Sequence, residues 1–509
     1  MTRPALFHWL RSTRRRVWWS TFVLVFALSL VWAFTTPPLG AGDETAHVVR
    51  AHALANGDLT GETRPGEPDY ARYVQAPLAY LVVGRSSLCY VFDQRTDASC
   101  GRFDGPDRDV AIRTDAGRHP PAYYAVIGIP SKVFAPLPRI DVMRAITAAI
   151  CAALLASAVV SLMRLQARRL AACGMLLALT PTVVYLFGIV NPNGPEVAAA
   201  IALWISGALL LAREAQPDDD TSVDHRLVAR VAIAATVLVL TRQTSPFWLG
   251  IIALTLLALS SRAILRRLAR DRHVRGWFAV VVTALVAQLA WIAIVRPLDV
   301  SYPQFAVHGG LSAQIKAAIG QIYPNYVEMI GALGFMTDPV PSGVLVLWTA
   351  GIAALVGFAW VLASRRVAWV VLGLIVVVLV VPTALEAARA GEAGLYWQGR
   401  YTLPIAVGIP LLAALGLAWT ERADERLARL VPLLGTVFVV GQVVSYGQQL
   451  RRWAVGARGT LRFFVDWEWS RLTPPWLLLL AFIVFAGGLT LWCCAPDRVG
   501  SRQPEVAPA

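Results

Sequence analysis

A short charged stretch follows the first apolar run of the chain. The segment "TTPPLGAGDETAH" begins at Thr35 and places Asp43, Glu44 and His47 directly after that run and a Pro-Pro pair. Ionisable groups held at membrane depth are costly and usually functional. A carboxylate there can act as a general base that takes the proton of an attacking hydroxyl. Asp43 and Glu44 are therefore the candidate catalytic residues.

Residues 43–55 have the pattern of a short helix. Asp43 can cap its N-terminus, and the Asn-Gly pair that follows can end it. At about 100° per residue, Asp43, His47 and Arg50 fall on one face. The apolar stripe beside them consists of Val48, Ala51 and Ala55. We predict an interfacial helix with its apolar side toward lipid and its ionisable side toward a cavity. The alternative is that Asp43 only caps the helix.

The stretch "YWQGRYTLP" (396–404) holds a candidate anion site. Arg400 offers a planar fork of N–H donors that matches a phosphate group. Gln398 and Tyr401 flank it as further candidate binding residues. The alternative for Arg400 is a structural ion pair. The candidate partners for that pair are Asp43, Glu386 and Glu392.

Further polar residues lie between the apolar runs, in segments where ligands commonly bind. These candidate binding residues are His119, Arg144, Asn191, Asn193 and Asp338, in addition to His47 and Arg50. Arg144 lies just inside an apolar run, where a charged head needs a carboxylate, a lipid phosphate or water. Cys89 and Cys100 lie in one long loop and are a disulfide candidate.

The elements that position these residues are apolar helices. Hydrophobic residues make up 57% of the 509 positions and charged residues 15%, which excludes an ordinary water-soluble protein. Segments of about 17 to 25 apolar residues recur along the chain, and about twelve of them could span a bilayer. They are 17–35, 140–163, 170–190, 196–212, 229–241, 246–260, 277–295, 342–363, 367–385, 402–420, 427–446 and 475–494. The pair 229–241 and 246–260 could instead form one kinked passage.

Arginine sets the expected orientation. The net charge is +14, and the basic loops between the spans all fall on one side when twelve spans are threaded. Basic loops remain in the cytoplasm. We therefore expect a multi-pass protein of the inner (plasma) membrane whose functional face is extracytoplasmic. No basic patch is interleaved with aromatic residues, so nucleic acid is not expected as a partner.

The expected organisation alternates bundles of spans with outer loops. Segment 311–322 is a second amphipathic stripe, and Pro324 is expected to stop that helix. The segments are a basic cytoplasmic N-terminus (1–16), the first span (17–35), a first outer loop with the candidate catalytic helix (36–139), spans two to seven (140–295), a second outer loop with an amphipathic helix (296–341), spans eight to twelve (342–494) and a cytoplasmic tail (495–509).

The order of motifs resembles a known family. The chain has, in order, the motifs "PPLGAGDETAH", "HPPAYY", "NPNGPE", "GALGFMTDPVP" and "QGRYTLP". This order resembles that of domain-of-unknown-function family 2142, bacterial polytopic proteins related to GT-C glycosyltransferases. The resemblance covers about residues 20–450. Asn193 departs from it, because many relatives have "NPDG" there. Because that carboxylate is absent here, a role for position 193 in metal binding or acid–base catalysis is in doubt.

The resemblance implies an all-α, GT-C-like bundle that uses polyprenyl-phosphate-linked sugars at the outer face. Asp43 matches the acidic catalytic position of such enzymes, with Glu44 beside it, and Arg400 is the expected phosphate clamp. The acceptor would be a glycan or a lipid of the cell envelope, and transfer by a single base would invert the anomeric carbon. A divalent ion (Mg or Mn) held by Asp43 and Glu44 is left open, and no cofactor is certain.

Two other classes of function compete with this one. A transporter or flippase of envelope lipid or polysaccharide would also have about twelve spans, but transporters of the common kind have inverted repeats and ionisable sites near the bilayer midplane. We find no internal repeat in the sequence. A non-catalytic membrane scaffold with a transferase fold is the second alternative, because fold does not fix function.

Overall fold

The chain folds into a helical bundle with a small mixed region at one end. The computed structural model describes residues 11, 13–68, 70–215, 222–421, 425 and 427–496. Most of the expected cytoplasmic N-terminus and tail lies outside these residues. The predicted all-α polytopic architecture is confirmed, and the strands are confined to two short antiparallel pairs within the described ranges.

The first half of the chain contributes the following elements. They are α1 (Arg14–Thr35), α2 (Glu44–Ala55), β1 (Arg72–Pro77), α3 (Leu78–Ser86), α4 (Leu88–Val91), β2 (Asp109–Thr114), α5 (Pro121–Ile127), α6 (Pro136–Leu162), α7 (Arg168–Ala178), α8 (Pro181–Phe187), α9 (Asn193–Leu211), α10 (His225–Thr241) and α11 (Ser245–Leu259).

The second half adds more spans and a short hairpin. Its elements are α12 (Arg262–Arg270), α13 (Arg272–Val295), α14 (Gly310–Gly320), α15 (Ile322–Gly331), β3 (Ala332–Leu333), β4 (Asp338–Pro339), α16 (Ser342–Leu362), α17 (Arg365–Ala393), α18 (Gly399–Ala406), α19 (Gly408–Ala418), α20 (Leu430–Val455) and α21 (Pro475–Cys494). Helices α18 and α19 together form one span.

In the described part of the chain, nine helices are long and apolar enough to cross a membrane, or up to eleven if each of two bent pairs is one span. Segment 170–190 is one bent pair, because α7 and α8 meet at 77° where Pro181 starts a new helix. Segments 229–241 and 246–260 form the separate helices α10 and α11 and not one kinked passage. Because α10 has only 17 residues, the structure gives fewer full-length spans than the expected twelve.

The spans differ in how far protein encloses them. Helix α9 packs against α6, α10 and α19, and 89% of its apolar window is buried. Helix α13 lies at the edge of the bundle, where only 11% is buried and Phe278 and Ile294 are exposed. An apolar surface of this kind suits contact with lipid tails. The bundle therefore has a lipid-facing edge and a protein-enclosed centre.

The inter-span segments of one end contact one another, and we call this end the loop face. The main chain of Gly42 donates to the Gly334 carbonyl at 3.2 Å, and Arg452 donates to the Thr96 carbonyl at 2.6 Å. At the opposite end, Ser364 bonds Glu214. Segments 36–139, 296–341 and 447–474 are thereby brought together, as the threading of the spans predicts.

Helix α2 is enclosed by protein, which corrects the prediction that its apolar side meets lipid. Val48 and Ala51 are fully buried. They pack in a cluster with side chains of the β1–β2 pair and of α5, including Val74 and Tyr124. The strands pair antiparallel from Arg72 opposite Thr114. The first loop therefore folds into a cap over α2 and leaves no apolar stripe for the bilayer.

The second outer segment also differs from its prediction. Helix α14 ends at Gly320, and α15 begins at Ile322 with Pro324 inside its first turn. Proline is tolerated there because the first N–H groups of a helix have no partner within the helix. Pro324 therefore does not stop a helix. Leu311 is 63% exposed while Ala318 is buried, so the predicted stripe does not face one surface.

Candidate functional site

Asp43 lies in the turn between α1 and α2, where the chain enters the loop face. Its backbone has φ 62°, a left-handed conformation that aspartate and asparagine adopt more readily than most residues. The side chain makes no capping hydrogen bond, so the predicted N-cap interaction is wrong. Instead the carboxylate, whose side chain is 50% exposed, forms an ion pair with Arg400 Nη2. Asp43 thus presents an accessible carboxylate from a fixed backbone.

Arg400 lies in the first turn of α18 and is almost fully buried. One of its terminal nitrogens bonds Asp43. The other two nitrogens, Nε and Nη1, have no hydrogen-bond partner among the described residues. Buried donors are rarely left unpaired, since the lost bond costs about 1–3 kcal/mol. The guanidinium can therefore bind an anion while it keeps Asp43.

Two carboxylates hold the chain in place just before Arg400. Glu328 Oε2 accepts from the Gly399 N–H at 2.6 Å, and Glu386 Oε1 accepts from the Trp397 N–H at 3.0 Å. A Cβ at position 399 would lie 2.1 Å from the carbonyl oxygen of Asn325, so only glycine fits. Burial raises the pKa of Glu328. These contacts set the start of α18 and hence the direction of the guanidinium.

Glu44 and Arg144 form a fully buried ion pair away from the open carboxylate. Arg144 donates to both Glu44 oxygens, at 2.7 and 2.5 Å, and to the carbonyls of Ala33, Thr36 and Pro37. Glu44 Oε1 also accepts from a backbone N–H of the α8–α9 connection at 3.0 Å. Both side chains are 0% exposed. Neither has a group left for substrate, so catalysis by Glu44 and phosphate binding by Arg144 find no support in this geometry.

Tyr124 joins two of the sequence candidates. Its hydroxyl lies 2.9 Å from His47 Nδ1 and 3.0 Å from His119 Nδ1. Burial lowers the pKa of both histidines, and the charges of Arg400 and Arg242 lower that of His47 further. Both rings are therefore neutral at physiological pH. The structure brings His47 and His119 together through this tyrosine, which is not among the sequence candidates.

Arg50 has a different environment from the one predicted. It is fully buried and donates to the carbonyls of Asp58 and His119. Its guanidinium carbon lies 5.7 Å from the centre of the Tyr124 ring. Arg50 does not share an open face with Asp43. It ties α2 to the segment that carries His119.

The start of α9 supplies a second buried polar group. Asn191 Oδ1 accepts from the Asn193 N–H at 3.0 Å, and the Asn193 amide donates to Glu196 at 3.4 Å. Glu196 in turn pairs with Arg242 at 3.3 Å and accepts from Ser245 at 2.7 Å. The two asparagines therefore shape a turn that points a carboxylate toward Arg242.

Arg242 is a residue that sequence reasoning missed. Its guanidinium carbon lies 4.5 Å from the centre of the Tyr401 ring, and that of Arg400 lies 5.4 Å from it. Its position between two short helices, α10 and α11, was the available signal, because charged residues at breaks of apolar helices often serve function. Gln398 directly precedes α18, and its Oε1 has no partner among the described residues. Tyr401 thus contacts two cations, one of which, Arg400, pairs with Asp43.

The donor set around Asp43 does not suit a divalent ion. No group of three or more His, Cys, Asp or Glu side chains in the described ranges is placed to hold a metal. Both carboxylate oxygens of Glu44, the second predicted ligand, accept hydrogen bonds from Arg144. Mg²⁺ prefers oxygen ligands, whereas Arg400 is the group that meets Asp43. No step of the chemistry below is therefore routed through a metal.

Asp338 and the two cysteines lie apart from Asp43. Asp338 starts β4 and accepts from Gln449 at 2.9 Å. Cys89 and Cys100 form a disulfide in the segment that follows α3. The first outer loop therefore carries a covalent staple, and Asp338 belongs to a separate polar cavity.

An apolar groove lies beside α18. It encloses about 570 Å³ between α15, α16, α17 and the α18–α19 span. Thr402 and Leu403, in the turn after Arg400, line one wall, and Asn325, whose carbonyl contacts Gly399, lines another. Met329, Val356 and Leu379 make up much of the remainder. The groove can therefore hold a long apolar chain whose polar end lies near α18.

Comparisons with known proteins give two similar solved structures and one family. Two crystal structures of ArnT from Cupriavidus metallidurans are similar, each with 13% sequence identity and 93% of this chain covered. The structure bound to undecaprenyl phosphate has a TM-score of 0.43 over 75% of its chain, and the apo structure has 0.41 over 77%. No curated protein matches the sequence. Residues 26–409 match the family described as "Predicted membrane protein (DUF2142)", and the chain belongs to that family.

Proposed function

We propose that this protein is a GT-C-like membrane glycosyltransferase that moves a sugar from a polyprenyl-phosphate donor to an acceptor of the cell envelope. One observation carries the proposal. Arg400 is buried beside the half-exposed carboxylate of Asp43, and two of its nitrogens have no hydrogen-bond partner in the part of the chain that the structure describes. A cation for the leaving phosphate and a base for the acceptor are the two groups that this transfer needs.

Arg400 would bind the donor phosphate. Its Nε and Nη1 can donate to two phosphate oxygens while Nη2 keeps Asp43, and bidentate pairing is the strongest contact that arginine makes with phosphate. Arg242, whose guanidinium carbon lies 4.5 Å from the centre of the Tyr401 ring, adds a second positive charge near Arg400. The leaving group gains negative charge as the sugar departs. Fixed cations in a site with little water stabilise that charge most.

The apolar groove would hold the polyprenyl tail. Its wall of aliphatic side chains continues from α18, so a lipid in the groove can present its phosphate to Arg400. Burial of apolar surface stabilises such a complex by about 25 cal/mol per Å². A tail site and a phosphate site on one helix explain why a sugar transferase is built from membrane spans.

Asp43 would act as the general base. The acceptor hydroxyl attacks the anomeric carbon, its proton passes to the Asp43 carboxylate, and the bond between that carbon and the phosphate oxygen breaks. Polyprenyl phosphate leaves with the electron pair of that bond. A single displacement of this kind inverts the anomeric carbon. Glu44 and Arg144 take no part in these steps and fix the chain on either side of Asp43.

The reaction would occur at the extracytoplasmic face of the inner membrane. The loop face carries Asp43 and Arg400, whereas basic segments such as α12 lie at the ends of the spans that lead away from it. Basic segments remain cytoplasmic. The acceptor, a glycan or a lipid of the envelope, would approach from the periplasmic side.

Transfer from radiolabelled polyprenyl-phosphate sugars in membranes tests the proposal. Asp43→Asn should bind donor normally but transfer about 10²- to 10⁴-fold more slowly, because the amide cannot take the proton. Arg400→Lys should weaken donor binding by about ten- to a hundredfold, since a point charge cannot replace the fork. Asparagine also tolerates the left-handed backbone at position 43.

The exposed pair Arg102–Asp104 provides matched controls. Their side chains are 63% and 76% exposed in the same loop. Arg102→Lys and Asp104→Asn repeat both substitutions without touching the site, and both should keep wild-type transfer. Full transfer by Asp43→Asn and Arg400→Ala would contradict the proposal. Donor-independent movement of lipid or polysaccharide by the wild type would favour the transporter, and neither activity would favour the scaffold.

A further inference from the structure

A second cavity on the loop face is lined by polar side chains. It has a volume of about 300 Å³ and lies between the β3–β4 hairpin, the end of α20 and the first outer loop. Its polar lining consists of Gln94, Asp338, Gln448, Gln449, Arg451 and Arg452. We call it the hairpin cleft. None of the groups assigned to donor binding or to proton transfer lines it, so it is separate from the donor site.

The buried charges of the hairpin cleft are incompletely paired. Asp338 Oδ2 accepts from Gln449, but Oδ1 has no hydrogen-bond partner among the described residues. It forms an ion pair with Arg452 Nε at 3.6 Å, and that nitrogen also has no hydrogen-bond partner within the described ranges. Both residues are more than nine-tenths buried. A polar group placed between them would satisfy one acceptor and one donor together.

Most of the remaining side-chain donors of the cleft are already engaged. Arg451 donates twice to the Gly459 carbonyl, and the terminal nitrogens of Arg452 donate to carbonyls of the first loop. The amide nitrogen of Gln448 donates to the Pro339 carbonyl at 2.9 Å. What the cleft offers a ligand is therefore mostly acceptors: glutamine oxygens and Asp338 Oδ1. Burial raises the pKa of Asp338, which adds to the gain from a new hydrogen-bond partner.

This set of groups selects among ligand classes. Hydroxyl groups donate and accept at once, so a polyhydroxyl ligand can satisfy the acceptors and also receive the Arg452 Nε–H. An anion would lie against the Asp338 carboxylate, and four of the six guanidinium nitrogens of Arg451 and Arg452 already donate to carbonyls. An acyl chain would need an apolar wall, such as the one that the groove beside α18 provides.

The β3–β4 hairpin connects the cleft to Asp43. Gly334, at φ 61°, accepts from the Gly42 N–H, and Gly42 directly precedes Asp43. A Cβ at position 334 would lie 2.5 Å from Asp338 Oδ2, so the turn brings Asp338 against the backbone that leads to the base. A sugar chain in the cleft is thus separated from Asp43 by one turn of the hairpin.

We propose that the hairpin cleft binds the hydroxyl groups of the acceptor, and that the acceptor is a water-exposed carbohydrate and not a lipid. This inference rests on the proposed function, because it names the substrate that accepts the sugar. It adds an acceptor subsite, formed by Asp338, Gln448 and Arg452, to a donor site formed around Arg400.

Photo-crosslinking in intact cells tests the ligand class without any transfer assay. A benzophenone amino acid at Gln448, a half-buried residue of the cleft, is irradiated in the native host. The matched control is Gln75, an exposed glutamine on β1 outside the cleft. We expect a periodate-reactive, hexose-containing adduct at position 448 and none at 75. A lipid or protein adduct at 448, or no excess over 75, would overturn the inference.

Product analysis then separates the inference from the proposed function. In membranes with labelled donor, Asp338→Asn and the milder Gln448→Ala should reduce transfer to carbohydrate by about tenfold or more. Release of labelled sugar to water should stay at the wild-type rate, because the donor site is intact. Loss of both rates would refute a separate acceptor subsite, and so would label that enters a lipid acceptor. A wild type that never consumes donor would instead refute the proposed function.

Discussion

Replacing Glu44 with glutamine should lower the stability of the protein more than the corresponding change of its neighbour, Asp43→Asn. Arg144 makes two of its five hydrogen bonds to Glu44, and both side chains are 0% exposed. Removing one partner of a buried ion pair costs about 3–5 kcal/mol, because the other charge is left uncompensated. Folded domains are stable by only about 5–15 kcal/mol. The single amide substitution therefore removes a large part of the stability.

The expected shift can be measured as thermal unfolding in nanodiscs. For a chain of 509 residues that unfolds as one unit, a loss of about 3–5 kcal/mol corresponds to a Tm lower by about 3–5 °C. Arg144→Lys should be similarly damaging, since an ammonium cannot reach both Glu44 oxygens and the three backbone carbonyls. The control Glu67→Gln alters an exposed glutamate of the same outer loop and should leave Tm unchanged.

The paired variants distinguish the two adjacent acids. Asp43→Asn should lose transfer with a smaller drop in Tm than Glu44→Gln, because the Asp43 side chain is half exposed and the amide oxygen of asparagine can still accept from Arg400. Glu44→Gln should lose stability, and any fraction that remains folded should still transfer. A Glu44→Gln protein with native Tm and no activity would refute this reasoning and would identify Glu44 as the base.

Two more expectations concern orientation and pH. A cysteine at Glu67 should react with an impermeant maleimide in intact cells, whereas one at the exposed Arg266 of α12 should react only after permeabilisation; the reverse pattern would invert the topology. Burial lowers the pKa of His47 and His119, and that of His52 to about 4. As pH falls below about 6.5, these histidines therefore bind protons in the unfolded chain before they do so in the folded protein, and this favours unfolding. Tm should therefore drop between pH 7.5 and 5, and a constant or rising Tm would contradict the buried, neutral assignment.

The sequence was sufficient for most of the spans because length and hydropathy indicate segments suited to lipid, but it overcounted them, since α10 is short and segment 170–190 is bent. The sequence also named Asp43 as one of three candidate ion-pair partners of Arg400, and the structure has that pair. The roles of both residues in transfer stay predictions. Helical periodicity could not show that the β1–β2 pair covers α2, because Val48 is equally suited to lipid and to a protein core. The lipid-facing assignment therefore failed where a long-range strand pairing supplied the cover.

Residue type alone could not separate Asp43 from Glu44. The two acids are adjacent, yet one is half exposed beside α18 and the other is sealed against Arg144, 100 positions away in the chain. Arg242 was missed for a related reason, since it gains meaning only from Tyr401, which a distant helix brings to 4.5 Å. Roles that depend on contacts between distant segments are the part that the fold has to supply.

The position of the Tyr124 hydroxyl between two imidazoles constrains their tautomers. Burial raises the pKa of Tyr124, so the hydroxyl keeps its proton, and its only hydrogen-bond partners in the described structure are His47 Nδ1 and His119 Nδ1. That one proton can be donated to one ring, which must then carry its own proton on Nε2. The other ring must donate from Nδ1 and leaves its Nε2 as a bare acceptor. The two histidines therefore hold opposite tautomers, and a proton that changes one of them obliges the other to change as well.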